Sequence, residues 1–274
     1  MFPVLLKIGN FTLHTYGLLV ATGFLVGIFV AERMARRFEL NPDRIFTLAI
    51  FLAIGAIFGA KLFLVIQEWR YYVHDPRAFL GADFWESGGI FYGGVIVALL
   101  VLTWYVRRHH LRWLAVGDAV APGVAIGHSI GRLGCFSAGC CFGKPTALFF
   151  GVTFTSLYAH NTVGVPLNIP LYPTQLMESA AEAVIFILLW RMARKRAFEG
   201  QLTAFYLVAY GAVRFGVDFL RAYEPQAMLF HGLMTDAQLT SLGMIALAIA
   251  ILVRQRRLAG SAHPPREARA ARPA

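Results

Sequence analysis

The chain has 274 residues, 58% of them hydrophobic and only 15% charged, with a formal net charge of +10. Soluble domains hold roughly 45–50% apolar residues, so this composition excludes a soluble enzyme and a soluble metal-binding module. Seven apolar stretches of about the length needed to span a bilayer can be found, and the positive charge then reads as a topology signal rather than a nucleic-acid footprint.

The first residues, MFPVLLKIGN, lack a basic start, an apolar core and a small-residue cleavage site, so the first span, 13–31, is expected to be retained. Further spans are expected at 45–66, 89–106, 117–135, 174–190, 202–220 and 239–253. The second holds GAIFG, whose Gly55 and Gly59 have the spacing that lets membrane helices pack closely. The longest connection, 136–173, is rich in glycine, proline and aromatic residues, with an alternation that suits a small extended element. From Gln255 the Pro/Ala/Arg-rich QRRLAGSAHPPREARAARPA is expected to be disordered and, if it has a role, to act as a membrane-surface tether. The expected fold is an all-α integral membrane protein with seven transmembrane helices. One membrane domain, 1–254, would carry an ordered outer (periplasmic) lobe at 136–173, followed by a basic cytoplasmic tail at 255–274.

Orientation follows from basic residues, which favour cytoplasmic loops. With the N-terminus outside, 17 lie in inner segments and 5 in outer ones. This choice fixes the outer end of each span. His14 and Tyr16 lie at that end of the first, Lys61 of the second, Tyr92 of the third, and His128, Arg132 and the cysteines of the fourth. Gln175 and Glu178 belong to the fifth, and Tyr210, Arg214 and Asp218 to the sixth.

Singly, these residues have bland explanations. Lys61 can snorkel, Tyr16 and Tyr92 can belong to an aromatic belt, and Glu178 and Asp218 can neutralise the arginines in structural pairs. Together they argue for a polar cavity in one leaflet, because each ionisable residue within a span costs about 2.5–3.5 kcal/mol on insertion scales. The inner halves carry little charge apart from Asp118, which disfavours a transport path through the midplane.

A cationic cavity at the outer leaflet suits an anionic lipid head group. Arginine grips phosphate through a planar fork of donors, and the glycines of GRLG and CFGKPT would let backbone amides approach it. Cys135, Cys140 and Cys141, spaced C-x4-C-C, admit three readings: a soft-metal site, a disulfide from Cys135 to one of the others, or small packing residues. The metal reading is weakened because adjacent cysteines rarely both face one ion. His128 lies two turns from Cys135 along one helix, too far for a direct nucleophile–base pair.

The sequence resembles the prolipoprotein diacylglyceryl transferases over about residues 11–225. The likeness runs through LHTYGL, AIFGAKLFLVI, GGIFYGG, GRLGCFSAGCCFGKPT, YPTQLMES and AYGAVRFGVDFLR. It implies a bacterial inner-membrane, multi-pass enzyme that moves a diacylglyceryl group from phosphatidylglycerol to the lipobox cysteine of a prolipoprotein signal peptide. A thioether forms and glycerol 1-phosphate leaves. By position it implies Arg132 and Arg214 as essential arginines, Tyr16 as the first-span tyrosine and Gly143 as the glycine closing the signature. Glu178, Tyr210 and Asp218 fall on functional or supporting positions.

Two departures stand out. Tyr92 occupies the place of a histidine in the family's F-H-G-G, and Cys135 and Cys140 replace asparagine and glutamate-bearing positions of its signature. A histidine base is therefore absent at that position, and a disulfide-held loop is one way the cysteines could replace hydrogen-bonding side chains.

The expected mechanism is direct displacement. Positive potential from Arg132, Arg214 and Lys61 favours the acceptor thiolate, and the arginines stabilise the departing phosphate. Tyr16 or Tyr92 orients the thiol, while Lys61, Gly143, Cys135, Gln175, Glu178, Tyr210 and Asp218 line the substrate site. No step calls for a metal, nucleotide or nucleic acid. The alternatives are a family paralogue with another acceptor and an anionic-lipid-binding or transport protein.

Overall fold

Each expected apolar stretch becomes a helix. A computed structural model describes residues 3–9, 11–81, 84, 89–223, 228–229 and 233–261. In chain order its α-helices are α1 Thr15–Arg37, α2 Pro42–Gln67, α3 Trp69–His74, α4 Phe91–Arg108 and α5 Trp113–Ala138. They continue with α6 Leu157–Val163, α7 Thr174–Met192, α8 Gln201–Asp218 and α9 Asp236–Ser261. The boundaries have local causes. Asn41 caps α2 by accepting from the amides of Asp43 and Arg44, with Pro42 in the first turn. The last turns of α1 and α4 carry Arg36–Arg37 and Arg107–Arg108, cations that suit the negative end of a helix.

Among the described residues five helices, α1, α2, α4, α5 and α9, are long and apolar enough to cross a membrane. On the other two long helices the apolar run is interrupted by Glu178, Glu182 and Arg191 of α7 and by Arg214 and Asp218 of α8. Glu178, Glu182 and Asp218 are buried, so these helices turn polar side chains toward protein. The five strongly apolar helices do the reverse, exposing Leu25, Phe29, Ile57, Phe58 and Leu100, a face suited to hydrocarbon rather than water.

Among the described residues three two-stranded antiparallel ribbons are added at the connections. They pair β1 Val4–Ile8 with β2 Phe11–His14, β3 Val152–Thr153 with β4 Pro170–Leu171, and β5 Met228–Leu229 with β6 Met234–Thr235. The first ribbon pairs Val4 with His14, so the helix begins only at Thr15. At the other end α9 continues to Ser261, into the segment expected to be tail. Residues 262–274 and most of Trp85–Gly89 lie outside the described residues.

The helices group into two compact units, residues 1–34 with 117–274, and residues 35–116. In the first, α1 and α5 meet through glycines. A Cβ on Gly123 would stand 2.3 Å from the Gly27 carbonyl oxygen, and one on Gly23 would stand 2.6 Å from that of Gly127. Buried Asp118 ties α5 to the start of α8, accepting from the amides of Gly200 and Thr203 at 2.8 and 2.9 Å and from Thr203 Oγ1 at 2.9 Å, and pairing with Arg196 at 3.2 Å. Between α5 and α7 the chain builds its own apolar core from Phe154, Ala159, Val165 and Leu171, with Phe136, Phe142 and Val152 packed against it. This connection also carries the short β3–β4 pair.

In the second unit α2 packs on α4 by the expected glycine contact. A Cβ on Gly59 would meet the Gly93 carbonyl oxygen at 2.5 Å and Val97 at 2.7 Å, so backbones touch where GAIFG predicts. Arg44 and Arg112 close its polar end on the carbonyl oxygens of His109 and Phe38, at 3.2 and 3.1 Å.

Candidate active site

α5 and α7 face each other through a ladder of polar pairs at helical spacing. His128 Nδ1 shares a hydrogen bond with Glu182 Oε1 at 2.8 Å. Next along α5, Ser129 Oγ donates to the Ser179 carbonyl and Ser179 Oγ to that of Ser129, both at 2.8 Å. Arg132 then pairs with Glu178. Four residues separate His128 from Arg132 and Glu178 from Glu182, so one turn on each antiparallel helix carries the register.

Glu178 also meets a second cation. Its other oxygen lies 3.1 Å from Arg214 Nη1, and the same guanidinium nitrogen lies 3.2 Å from Asp218 Oδ1. Arg214 Nη2 donates to the Tyr223 hydroxyl at 3.0 Å, and Tyr223 and Thr235 both donate to Asp218. The two arginines are only 11% and 12% exposed and Glu178 is 1% exposed, so they interact where water screens little. Tyr210 joins from α8, its ring edge-on to His128 at 5.1 Å and stacked on Tyr206, whose hydroxyl donates to Glu182 at 3.3 Å. Among the described residues the buried polar atoms here without a hydrogen-bond partner are Arg132 Nε, Gln175 Oε1 and the Oε2 atoms of Glu178 and Glu182. A guanidinium N–H without a partner is a donor that an anion's oxygen can use.

Beyond the end of α5 the cysteine loop closes beside Arg132. Arg132 Nη1 lies 4.0 Å from Cys135 Sγ. Gln175 Nε2 donates to the Cys140 carbonyl at 2.7 Å and Thr174 Oγ1 to that of Cys141 at 2.8 Å. All three cysteines are free, so the disulfide-held loop is not what the fold shows. Their sulfurs nevertheless converge, all within 4.8 Å of one another. Hydrogen bonds from Cys135 and Cys140, then the charges of Arg221 and Arg132, hold the Cys141 thiol below its ordinary range, while the same mutual bonding raises Cys140.

The glycines act differently from expectation. The Gly143 amide donates to the Tyr172 carbonyl at 3.1 Å and that of Lys144 to Leu220 at 2.8 Å, so neither is offered to a phosphate. Gly143 is needed for space: a Cβ there would stand 2.5 Å from Tyr172 Cβ and 2.6 Å from its oxygen. Gly134 brings α5 against Tyr16, whose ring carbon would lie 3.4 Å from an added Cβ.

Arg132, Arg214, Tyr16, Cys135, Gly143, Gln175, Glu178, Tyr210 and Asp218 all belong to the first unit. Lys61 and Tyr92 belong to the second. There Lys61 donates to the Phe84 carbonyl and sits 4.9 Å from that ring's centroid, and Tyr92 lies edge-on to Phe91 at 5.6 Å. Sequence reasoning missed Glu182, Ser129 and Ser179, although matched four-residue spacings on two polar-bearing spans signalled them. Tyr223 and Thr235 had no such signal, since both lie outside the expected spans.

A family model described as prolipoprotein diacylglyceryl transferase matches residues 3–254. The chain is 33% identical over 250 residues to the phosphatidylglycerol–prolipoprotein diacylglyceryl transferase of Clostridium tetani (strain Massachusetts / E88), covering 91% of this chain and 96% of that one. It is 30% identical over 257 residues to the protein of the same name from Francisella tularensis subsp. novicida (strain U112), covering 92% of each.

Proposed function

We propose the reaction from one premise: the chain belongs to the prolipoprotein diacylglyceryl transferase family, and it transfers the diacylglyceryl group of phosphatidylglycerol to a prolipoprotein. The acceptor atom is the thiol of the lipobox cysteine. The observation that carries the reading is the pair of arginines, Arg132 and Arg214, brought from separate helices onto one buried carboxylate.

The acceptor thiol, with an ordinary pKa near 8.5, gives up its proton to water and attacks C3 of the lipid's glyceryl group as the thiolate. The S–C bond forms as the C–O bond to phosphorus breaks, and glycerol 1-phosphate departs with the electron pair. Arg132 and Arg214 meet the charge that grows on that phosphate, so they act where the transition state differs from the substrate. Glu178 holds both guanidinium groups before the lipid arrives, which reduces reorganisation when it binds. Asp218 and Tyr223 fix Arg214, while Gln175 and Thr174 fix the loop beside Arg132. Tyr16 is assigned to the reaction by the resemblance of LHTYGL to the family, whereas Lys61 is assigned for its positive charge and Tyr92 for a hydroxyl that can orient the thiol where the family carries histidine.

The wider setting is of a piece with this chemistry. All seven long helices cross a bacterial inner membrane, with the N-terminus and the 136–173 lobe outside and the basic C-terminal segment in the cytoplasm. Supporting this are the five strongly apolar helices and the bias of basic residues between alternate loops.

The test is purified protein in detergent with phosphatidylglycerol and a lipobox peptide, following peptide mass and glycerol phosphate release. Modified peptide with the wild type and none with Arg132→Ala is the expected result. Lipid binding without product would overturn the transferase reading in favour of a lipid-binding protein.

A further inference from the structure

We propose that Cys135, Cys140 and Cys141 are three ligands of one thiophilic divalent cation of the zinc class, with a fourth position open to the acceptor thiol. The inference rests on the transferase reading for that last part only. Zinc–sulfur bonds of about 2.3 Å put three bound sulfurs roughly 3.8–4.0 Å apart. Here all three sulfurs lie within 4.8 Å of one another, so small side-chain shifts would complete the set.

The convergence is built into the backbone. Neighbouring residues usually send side chains apart, which is why C-C pairs seldom share an ion. Cys141, however, has φ 61°, a left-handed conformation that a non-glycine residue adopts only when its surroundings impose it. Those surroundings are present. Gln175 and Thr174 hold the carbonyls of Cys140 and Cys141, and the Cys140 amide donates to the Cys135 carbonyl at 3.2 Å. Such outer partners orient metal ligands. A disulfide would use two sulfurs and gain nothing from the third.

Charge and ligand number select the ion and its role. Three thiolates with a dication leave one negative charge, offset by Arg132 at 4.0 Å from Cys135 Sγ. Among the described residues no histidine, aspartate, glutamate or further cysteine joins the cluster. Three protein ligands leave the open position that marks catalytic rather than structural zinc.

A thiol entering that position is deprotonated by coordination, its proton passing to solvent. As the S–C bond to glyceryl C3 forms and the C–O bond to phosphate breaks, the product becomes a neutral thioether, a weaker ligand that can leave. No electron is exchanged with an outside partner. The acceptor thiolate is thus supplied without the histidine base that Tyr92 replaces.

The test measures metal first and activity second. Full-length protein purified in detergent with a non-chelating phosphine reductant should hold about one zinc per chain, and the Cys140→Ser/Cys141→Ser variant should fall to background. Wild-type protein stripped with chelator and reloaded with cobalt(II) requires no variant to fold. It should show sulfur-to-cobalt charge-transfer absorption, and its ligand-field bands should shift on adding a lipobox peptide but not a Cys→Ser peptide. Zinc equal in wild type and double variant, no charge-transfer band, or a disulfide among the three in protein isolated without reductant would overturn the site. Unchanged transfer by metal-free wild type would overturn its role while leaving the transferase reading intact. A metal site in a protein that transfers nothing would support the cation and count against that reading.

Discussion

Arg132 and Arg214 reach the same carboxylate through different oxygens, Glu178 Oε2 and Oε1. Neither arginine is simply a free cation awaiting substrate. Each is already oriented by an anion buried to 1% exposure, and the lipid phosphate must bind beside it or compete with it.

Removing the charge of Glu178 should therefore destabilise the empty protein more than the loaded one. Breaking a buried ion pair by deleting one partner costs about 3–5 kcal/mol, so Glu178→Gln should lower the thermal midpoint markedly in neutral detergent. Phosphatidylglycerol should restore more stability to the variant than to the wild type. Equal lipid-induced shifts in paired thermal scans would contradict the shared-carboxylate account.

Charge alone should not replace the guanidinium fork. Arg132→Lys and Arg214→Lys keep one positive charge but lose the planar set of donors. Turnover should fall about 100–1,000-fold, the usual effect of removing a group aimed at transition-state charge. Helical content by circular dichroism should stay near that of the wild type.

Two glycines give opposite expectations. Gly143→Ala places a Cβ 2.5 Å from Tyr172 Cβ, so the loop or Tyr172 must move. A loss of about 1–3 kcal/mol, typical of overpacking, should accompany reduced turnover. Gly131→Ala meets nothing within 4 Å and should leave stability equal or higher, since alanine favours the helix interior. Unfolding in denaturant, measured for both variants, checks the contrast.

Tyr223 should give the protein an alkaline limit. Burial, then its hydrogen bond to Asp218, raises its pKa above the ordinary value near 10. The folded state therefore holds this proton more tightly than the unfolded one. The resulting stability is fully present below the unfolded pKa and is lost as pH rises through the folded value. The thermal midpoint should decline above pH about 10, and Tyr223→Phe should flatten that part of the curve.

Asp118 should matter for folding and not for chemistry. It accepts three hydrogen bonds and pairs with Arg196, far along α5 from Arg132. Asp118→Ala should lower the yield of folded protein, while kcat of the folded fraction stays near that of the wild type.

The sequence by itself determined the seven helices, because apolar length and capping are local properties. It determined the close approach at Gly55 and Gly59, because small residues leave no side chain to separate backbones. It also marked Arg132, Arg214, Glu178 and Asp218, since charge within an apolar span is expensive enough to need a reason. What it could not determine was partnership. Which carboxylate serves which arginine depends on helix facing and rotation, and one turn of register would have exchanged Glu178 for Glu182. The convergence of three sulfurs needed a left-handed Cys141 held by Gln175 and Thr174, contacts across more than 30 residues of chain. Tyr223 and Thr235 entered the network only through the packing of α8 and α9. Spacing along one helix is written in sequence, but the pairing of polar groups between helices exists only once the tertiary structure has chosen their faces.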